Sequence, residues 1–285
     1  MSPPPTRAGG YGWNPGDVSR PNDKRHRLIA GIFLLVTSAA FAADDPDALN
    51  LAVADRHVIP GYAHLAEQTA RLDKAARARC ADGHAGRQAM QERFADAFLA
   101  WQDIQQIRFG PIQVLARDFR FQLGPDRRGS VRKHLARLMA SRDPAQLEAE
   151  TFAAGSVAVQ GFGALERLLF DPPPTDDDAA WRCAVITAMT ANLARMADDT
   201  LREWRAGESP HRAQFATASG GNDFYDSAAE LSARLLNNLH TQLERMVDQK
   251  LARPLGGAAE QAMPKRAEAW RSGQSLAALR HNLAA

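Results

Sequence analysis

The stretch Ala153-Ala-Gly-Ser-Val-Ala-Val-Gln-Gly-Phe-Gly-Ala-Leu-Glu-Arg-Leu-Leu-Phe170 places a carboxylate on an apolar helix face. At about 100° per residue, Glu166 falls in the middle of an apolar stripe, whereas Arg167 points elsewhere. The stripe consists of Ala158, Val159, Phe162, Leu165, Leu169 and Phe170. The same stretch contains three glycines, Gly155, Gly161 and Gly163. Since glycine weakens a helix by roughly 1 kcal/mol relative to alanine, we expect close backbone approach or an opening beside the carboxylate.

A carboxylate on a core-facing stripe needs a partner, because burying an unpaired charge is costly. The sequence therefore predicts a cation, a set of hydrogen-bond donors or a raised pKa at Glu166. We favour an arginine, with Arg108 and Arg271 as the first candidates, and a position in a cleft between two halves of the protein. A purely structural Arg–Glu pair at a helix crossing is the alternative interpretation.

Composition and charge are those of an ordinary globular protein. The chain has 285 residues, of which 45% are hydrophobic and 24% charged. Its formal net charge is +2, but residues 1–42 hold five basic and two acidic residues, so the remainder carries 30 basic and 31 acidic groups. No dense Lys/Arg cluster follows in that remainder, and we therefore expect no nucleic-acid partner.

The amino terminus is typical of an export signal. Lys24-Arg-His-Arg27 is a basic region, and the apolar run from Leu28 ends in small residues at Ala42. We predict cleavage after Ala42, and a mature protein of the periplasm or cell envelope without a transmembrane segment. An uncleaved anchor is the alternative.

Two cysteines, Cys80 and Cys183, lie far apart in helix-like segments. In an oxidising compartment such a pair usually forms a disulfide, so we predict a Cys80–Cys183 bond. Two buried free thiols are the alternative.

From Asp47 onward, apolar residues recur at intervals of three and four, which predicts an all-α protein. The strongest break is Asp171-Pro-Pro-Pro174. We expect an amino-terminal extension and signal peptide over 1–42, and a helical domain over 43–285. Its two bundle-like halves, about 43–174 and 175–285, pack together.

Several local predictions follow from the same pattern. Pro60 predicts a kink or a break in the first helices, and the helix that carries Glu166 is expected to begin at Asp143-Pro144 or soon after. Trp101 and Trp270 are predicted to be largely buried. A further long helix is expected to turn an apolar stripe toward the core, with Phe224, Leu231, Leu235, Leu239, Leu243, Met246 and Leu251 as its members.

Four motifs resemble, in order and spacing, the imelysin-like family of bacterial envelope proteins. They are Ala100-Trp101 with Arg108-Phe-Gly-Pro111, Gln160-Gly-Phe-Gly-Ala-Leu-Glu-Arg-Leu-Leu-Phe170, Lys250-Leu-Ala-Arg-Pro-Leu-Gly256 and Ala267-Glu-Ala-Trp-Arg-Ser-Gly-Gln-Ser-Leu276. The resemblance covers roughly residues 50 to 283. It implies two helical halves with a site between them and a link to iron or haem acquisition. Founding members of the family are described as metallopeptidases.

The family signature, Gly-x-His-x-x-Glu, is incomplete in this chain. Gly161 and Glu166 match it, but Gly163 replaces the histidine. The loss removes the nitrogen ligand that favours iron or zinc over harder cations. Glu166 is thus the single candidate metal ligand, for iron or another divalent metal. No HExxH motif occurs, so a zincin-type hydrolase has no support.

The predicted ligand site joins this signature to polar residues elsewhere in the chain. The cluster around Trp270 is expected to supply the partner of the buried carboxylate. The site comprises Glu166, Gly161, Gly163, Arg108, Arg120, Glu268, Arg271 and Ser272.

Two function classes follow. The first is a non-catalytic envelope protein that binds a small iron-related ligand or an envelope protein partner in iron- or haem-related uptake. The alternative is a metal-dependent peptidase of the imelysin type. Family members are expected to continue for further helices after Leu276, so the second half is predicted to be short. Its exposed face would then be covered by another chain or leave the protein marginally stable.

Overall fold

Helices form every regular element that the computed structural model describes, over residues 45–81, 86–124, 126, 128–172, 179–207 and 210–285. The all-α prediction is therefore confirmed. None of the described helices is long and apolar enough to cross a membrane. The signal peptide and its cleavage after Ala42 lie outside the described residues. In chain order the α-helices are α1 (Pro46–Val53), α2 (Ile59–Ala81), α3 (Arg87–Ile104), α4 (Arg117–Phe121), α5 (Ser130–Ser141), α6 (Ala149–Ala154), α7 (Phe162–Phe170), α8 (Ala179–Arg205), α9 (His211–Ala216), α10 (Ala228–Arg245), α11 (Arg253–Leu255) and α12 (Ser275–Ala284).

The junction of α1 and α2 shows how the chain accommodates Pro60. A π-helical turn, Ala54–Val58, joins the two helices without a break. Proline lacks an N–H and its ring displaces the carbonyl of the preceding turn. The wider π-helical turn just before it absorbs this local disruption.

The centre of the fold is formed by α2, α3 and α8. Helix α2 packs along both partners, and it is also linked to α8 by a disulfide between Cys80 and Cys183, whose Cα atoms are 5.6 Å apart. The predicted bond is therefore present. Since α8 follows Pro174 in the sequence, a large part of the packing joins segments from both sides of that residue. The division into halves remains a prediction.

The stretch that carries Glu166 is not one helix. A short 3-10 turn, Pro144–Leu147, precedes α6, and a second one, Val157–Val159, separates α6 from α7. Both Gly155 and Gly161 have extended backbones. Thus the expected helix starting near Asp143-Pro144 is interrupted at two glycines, where the polypeptide changes direction.

Helix α10 and the π-helical turn after it, Met246–Ala252, bury only part of the predicted apolar stripe. Leu231 and Met246 are buried. Expected core residues that are exposed instead are Phe224, Leu239, Leu243 and Leu251. Leu236 and Val247 extend this exposed row on the same helical face, so α10 uses a second side for its contacts with the core.

An aromatic cluster closes the core at the end of α8. It consists of Tyr62, Phe109, Trp204, His211, Phe215 and Tyr225. Trp204 is fully buried, and its ring meets the His211 imidazole edge to face at 4.8 Å between centroids. Such contacts add to the large apolar area that aromatic side chains bury.

Candidate functional site

Two glycines at the start of α7 have different roles. Gly161 precedes the helix, and a Cβ atom there would collide with the backbone carbonyl oxygens of Arg120 and Phe121. By contrast, no atom lies within 4 Å of the position that a Cβ atom on Gly163 would take. Gly161 therefore permits close backbone approach, and Gly163 leaves open space beside the helix.

Glu166 is buried in the middle of α7, with 6% of its surface exposed. Its Oε1 atom accepts hydrogen bonds from the Ser272 backbone N–H at 2.9 Å and from the Ser272 hydroxyl at 2.8 Å. Burial raises the pKa of the Glu166 carboxyl above its ordinary value, although the bonds from Ser272 and the charge of Arg271 act in the opposite direction. The partner is thus a serine of the predicted polar cluster.

The expected arginine partners of Glu166 pair with other carboxylates. Arg108 donates to Asp118 at 2.7 Å, and Arg271 donates to Asp171 at 2.8 Å, just after α7 ends. Asp171 is more exposed than Glu166, so the ion pair with Arg271 requires less desolvation. The prediction of a Glu166–arginine pair is corrected accordingly.

Arg120 lies apart from Glu166. Its guanidinium donates to the Gln160 side chain at 2.9 Å and to the Ala153 carbonyl. It also lines a separate cavity of about 280 Å³. Arg120 therefore ties α4 to the turn before α7 and does not join the other predicted site residues.

The loop 267–274 brings the carboxyl-terminal motif to α7. Its tight course is fixed by positive φ angles at Ala269 and Gly273 and by a bond from the Gln274 N–H to the Ala269 carbonyl at 3.1 Å. The Arg271 guanidinium covers the ring of Trp270 at 4.2 Å. Trp270 is half-buried, whereas Trp101 is 2% exposed, as predicted.

A buried polar network holds Glu268. Its carboxylate accepts a hydrogen bond from the Gln122 amide, and Lys250 Nζ lies 2.8 Å from its second oxygen. Gln122 in turn accepts from the Trp101 indole N–H at 2.7 Å. Burial lowers the pKa of Lys250, while the charge of Glu268 opposes that shift. The network connects α3, the segment after α4, the π-helical turn after α10 and the loop 267–274.

These elements enclose a cavity of about 370 Å³ that we call the basic cleft. Of the predicted site residues, Gly163, Glu166, Glu268 and Arg271 line it, and Ser272 lies directly behind Glu166. Its acidic lining residues are Asp126, Glu166 and Glu268. Its basic lining residues are Arg167, Arg245, Lys250, Arg253, Lys265, Arg266 and Arg271.

Most of these basic residues were not predicted as site residues, because no segment of the sequence holds a dense cluster. They come from α7, from the end of α10 with the turn after it, from the start of α11 and from residues 265–271. One signal was available in the sequence. Arg245, Gln249 and Arg253 are spaced by four residues, which places them on one helical face.

The lining of the basic cleft does not fit a divalent metal. The described part of the chain holds no group of three or more His, Cys, Asp or Glu side chains that could bind an ion. Around Glu166 the basic side chains outnumber the acidic ones by seven to three. Hard divalent cations require several oxygen ligands, and iron or zinc favours imidazole or thiolate, so neither class is matched.

The described lining of the cleft also lacks the hydroxyl and thiol nucleophiles of serine, threonine and cysteine hydrolases. It contains no histidine, serine, threonine or cysteine, and the Ser272 hydroxyl behind it donates to Glu166. A larger groove of about 870 Å³ runs beside the disulfide, but its lining is mostly apolar. The arrangement around Glu166 is therefore suited to binding a charged molecule.

Comparison with known proteins identifies the family of the chain. The imelysin family model matches residues 58–285. An imelysin-like protein from Psychrobacter arcticum 273-4 is 26% identical with a TM-score of 0.66. A putative iron-regulated protein A precursor from Parabacteroides distasonis ATCC 8503 is 15% identical with a TM-score of 0.69 and shares the fold. Each likeness covers 84% of this chain and 71% of the other. No curated protein sequence gives a match. The family match spans most of the chain, which therefore belongs to the imelysin family.

Proposed function

We propose that the chain is an exported, non-catalytic binding protein of the cell envelope, active in iron- or haem-related uptake, which takes its ligand in the basic cleft. One observation carries the proposal. The cleft joins the buried Glu166 carboxyl, with its raised pKa, to a set of basic side chains, and its described lining contains no hydroxyl or thiol nucleophile. Perturbed titratable groups in a concave site are typical of functional sites.

The link to iron rests on relatives. The family match and the likeness to a protein called iron-regulated support it. That relative is a precursor protein, which supports export, as does the sequence of residues 24–42.

The test is native mass spectrometry of the protein isolated from the envelope of its own host. We expect a retained ligand in the wild type and less of it in the Glu166→Ala variant. Metal content and hydrolysis of a denatured casein substrate are measured on the same samples. Arg93→Gln, on the exposed side of α3, provides a control because Arg93, among the residues that the structure describes, pairs with Asp96 of its own helix.

The alternative, a metal-dependent peptidase, predicts a different result. It requires stoichiometric zinc or iron and casein hydrolysis that Glu166→Gln abolishes. That outcome would replace the binding proposal. A wild-type protein without retained ligand, in which Glu166→Ala changes nothing, would show that the basic cleft is not the binding site.

A further inference from the structure

Positive charge in the basic cleft is only partly neutralised by the protein. Lys250 faces Glu268, and Arg271 faces Asp171. Arg245, Arg253 and Arg266 form no salt bridge or side-chain hydrogen bond with any residue that the structure describes. Three of the arginines that line this cavity therefore have guanidinium groups without a partner in the described part of the protein.

The carboxylates of the cleft are already engaged. Glu166 accepts two hydrogen bonds from Ser272. Glu268 is held by Lys250 and Gln122. Asp126 accepts the backbone N–H groups of residues 130 and 131 at 2.6 and 3.0 Å, at the start of α5. Rearrangement of these acids toward the free guanidinium groups would break bonds that hold α5, α7 and the loop 267–274.

Arg245 is the least favourably placed of the three free arginines. It is half-buried, and burial together with the positive charge of Arg108 lowers its pKa, while the carboxylates of Glu268 and Asp118 oppose that shift. A guanidinium that loses hydration without gaining an acceptor carries an energetic cost. An anion in the cleft would remove that cost.

We propose that the basic cleft binds a small anion with at least two negative charges on carboxylate or phosphate oxygens, held by Arg245, Arg253 and Arg266. The proposal rests on the proposed function and specifies the chemical class of its ligand. Guanidinium forks match the paired oxygens of carboxylates and phosphates. The cavity, about 370 Å³, lies within the range of roughly 300 to 1,000 Å³ that small-molecule sites occupy.

The absence of a side chain at residue 163 supports this assignment. Gly163 lines the cleft and has open space where a Cβ atom would stand. Glycine thereby leaves room beside Glu166, in a cleft whose described lining has more basic than acidic side chains.

The probes are citrate and inorganic phosphate, titrated calorimetrically into the purified protein at constant ionic strength. We expect at least one to bind and to raise the Tm. Binding of citrate alone assigns a polycarboxylate, and binding of phosphate alone assigns a phosphoryl compound. Arg245→Gln and Arg253→Gln should each weaken binding about tenfold, as expected for the loss of one charge-assisted contact.

Arg56→Gln is the matched control, because Arg56 is exposed on the π-helical turn after α1 and lies outside the cleft. It should leave the affinity unchanged. A second readout guards against misfolding: without ligand, Arg245→Gln should keep or raise the Tm, since it removes a half-buried charge that has no salt-bridge partner among the described residues. Equal affinity in Arg245→Gln and wild type would refute the assignment.

Failure of the anion assignment differs from failure of the proposed function. If neither probe binds and native mass spectrometry finds a neutral or cationic ligand, the protein binds in the cleft but the ligand class is wrong. If zinc or iron binds without any anion, the class is likewise wrong. Peptidase activity dependent on Glu166 would overturn the proposed function itself.

Discussion

His211 in the aromatic cluster and Glu166 in the basic cleft are both buried titratable side chains, but their surroundings differ. His211 Nε2 pairs with the Tyr225 hydroxyl at 2.8 Å, and the cation that faces it, Arg234, is itself paired with Glu230. Burial lowers the pKa of His211 to about 4, which keeps the imidazole neutral. Around Glu166, by contrast, three arginines lack partners among the described residues.

The difference separates a polar group with a structural role from one for which we propose a role in binding. In the aromatic cluster, charge is neutralised locally and the rings fill the space. In the basic cleft, an excess of one sign borders an open cavity, and such an arrangement persists where a ligand supplies the missing charge. Burial of a polar side chain is common to both regions and does not separate them.

The largest expected effect on stability is that of replacing Trp204 in the aromatic cluster, compared with Trp270 at the basic cleft. Trp204→Ala should lower the free energy of unfolding by about 3 to 5 kcal/mol, because the ring is fully buried and leaves a cavity. Trp270→Ala should cost much less, because Trp270 is half-buried at the edge of the cleft. Denaturant unfolding of both variants measures the two costs. Similar costs would show that the cleft is packed like the core.

Acid should destabilise the protein through His211. The folded pKa, about 4, lies below the ordinary value of 6.5, so the folded state binds a proton less readily than the unfolded state. The stability contribution is complete above about pH 6.5 and is lost as the pH falls toward 4, by about 3 kcal/mol in total. His211→Gln cannot titrate, and its stability should fall less over that range. Parallel pH profiles of the two proteins would contradict the prediction.

Two substitutions at neighbouring glycines should have opposite effects on stability. Gly161→Ala forces a Cβ atom against the carbonyl oxygens of Arg120 and Phe121 and should cost about 1 to 3 kcal/mol. Gly163→Ala meets no atom within 4 Å and should stabilise α7, by up to about 1 kcal/mol. Thermal unfolding compares them directly. If both substitutions destabilise, the space beside Gly163 is not open.

The smallest expected effect is the pH dependence of the stability contributed by Glu166. Its direction is opposite to that of the contribution from His211. Because the folded pKa is raised above the ordinary value of 4.5, ionisation disfavours the folded state. The contribution of Glu166 to stability therefore falls as the pH rises from about 4.5 through the folded pKa. The glutamine in Glu166→Gln stays neutral. The Tm of this variant minus the Tm of the wild type should therefore increase as the pH rises from 4 to 8. A difference that is constant or shrinks would show that Ser272 and Arg271 outweigh burial.

The sequence alone determined the local structure and much of the chemistry at α7. The spacing of apolar residues predicted an all-α fold, because helix periodicity is a property of neighbouring residues. It also placed Glu166 on a buried face, and the polar cluster around Trp270 correctly indicated where its partner would come from. The two cysteines predicted the disulfide, since a single pairing was available.

Only the tertiary structure determined which side chains are in contact. Arg271 forms its ion pair with Asp171 and not with Glu166, because the cost of desolvating an ion pair depends on the burial of both partners. The chain leaves the helical conformation at Gly161, before α7. A glycine is needed there because the backbone at Arg120 and Phe121 leaves no room for a side chain. The basic residues of the cleft lie up to 104 positions apart in the sequence, from Arg167 to Arg271. The four-residue spacing of Arg245, Gln249 and Arg253 indicates a shared helical face. Net charge and local charge patterns do not show that this face lies beside Arg167 and residues 265–271, since electrostatic potential is summed over distances in space.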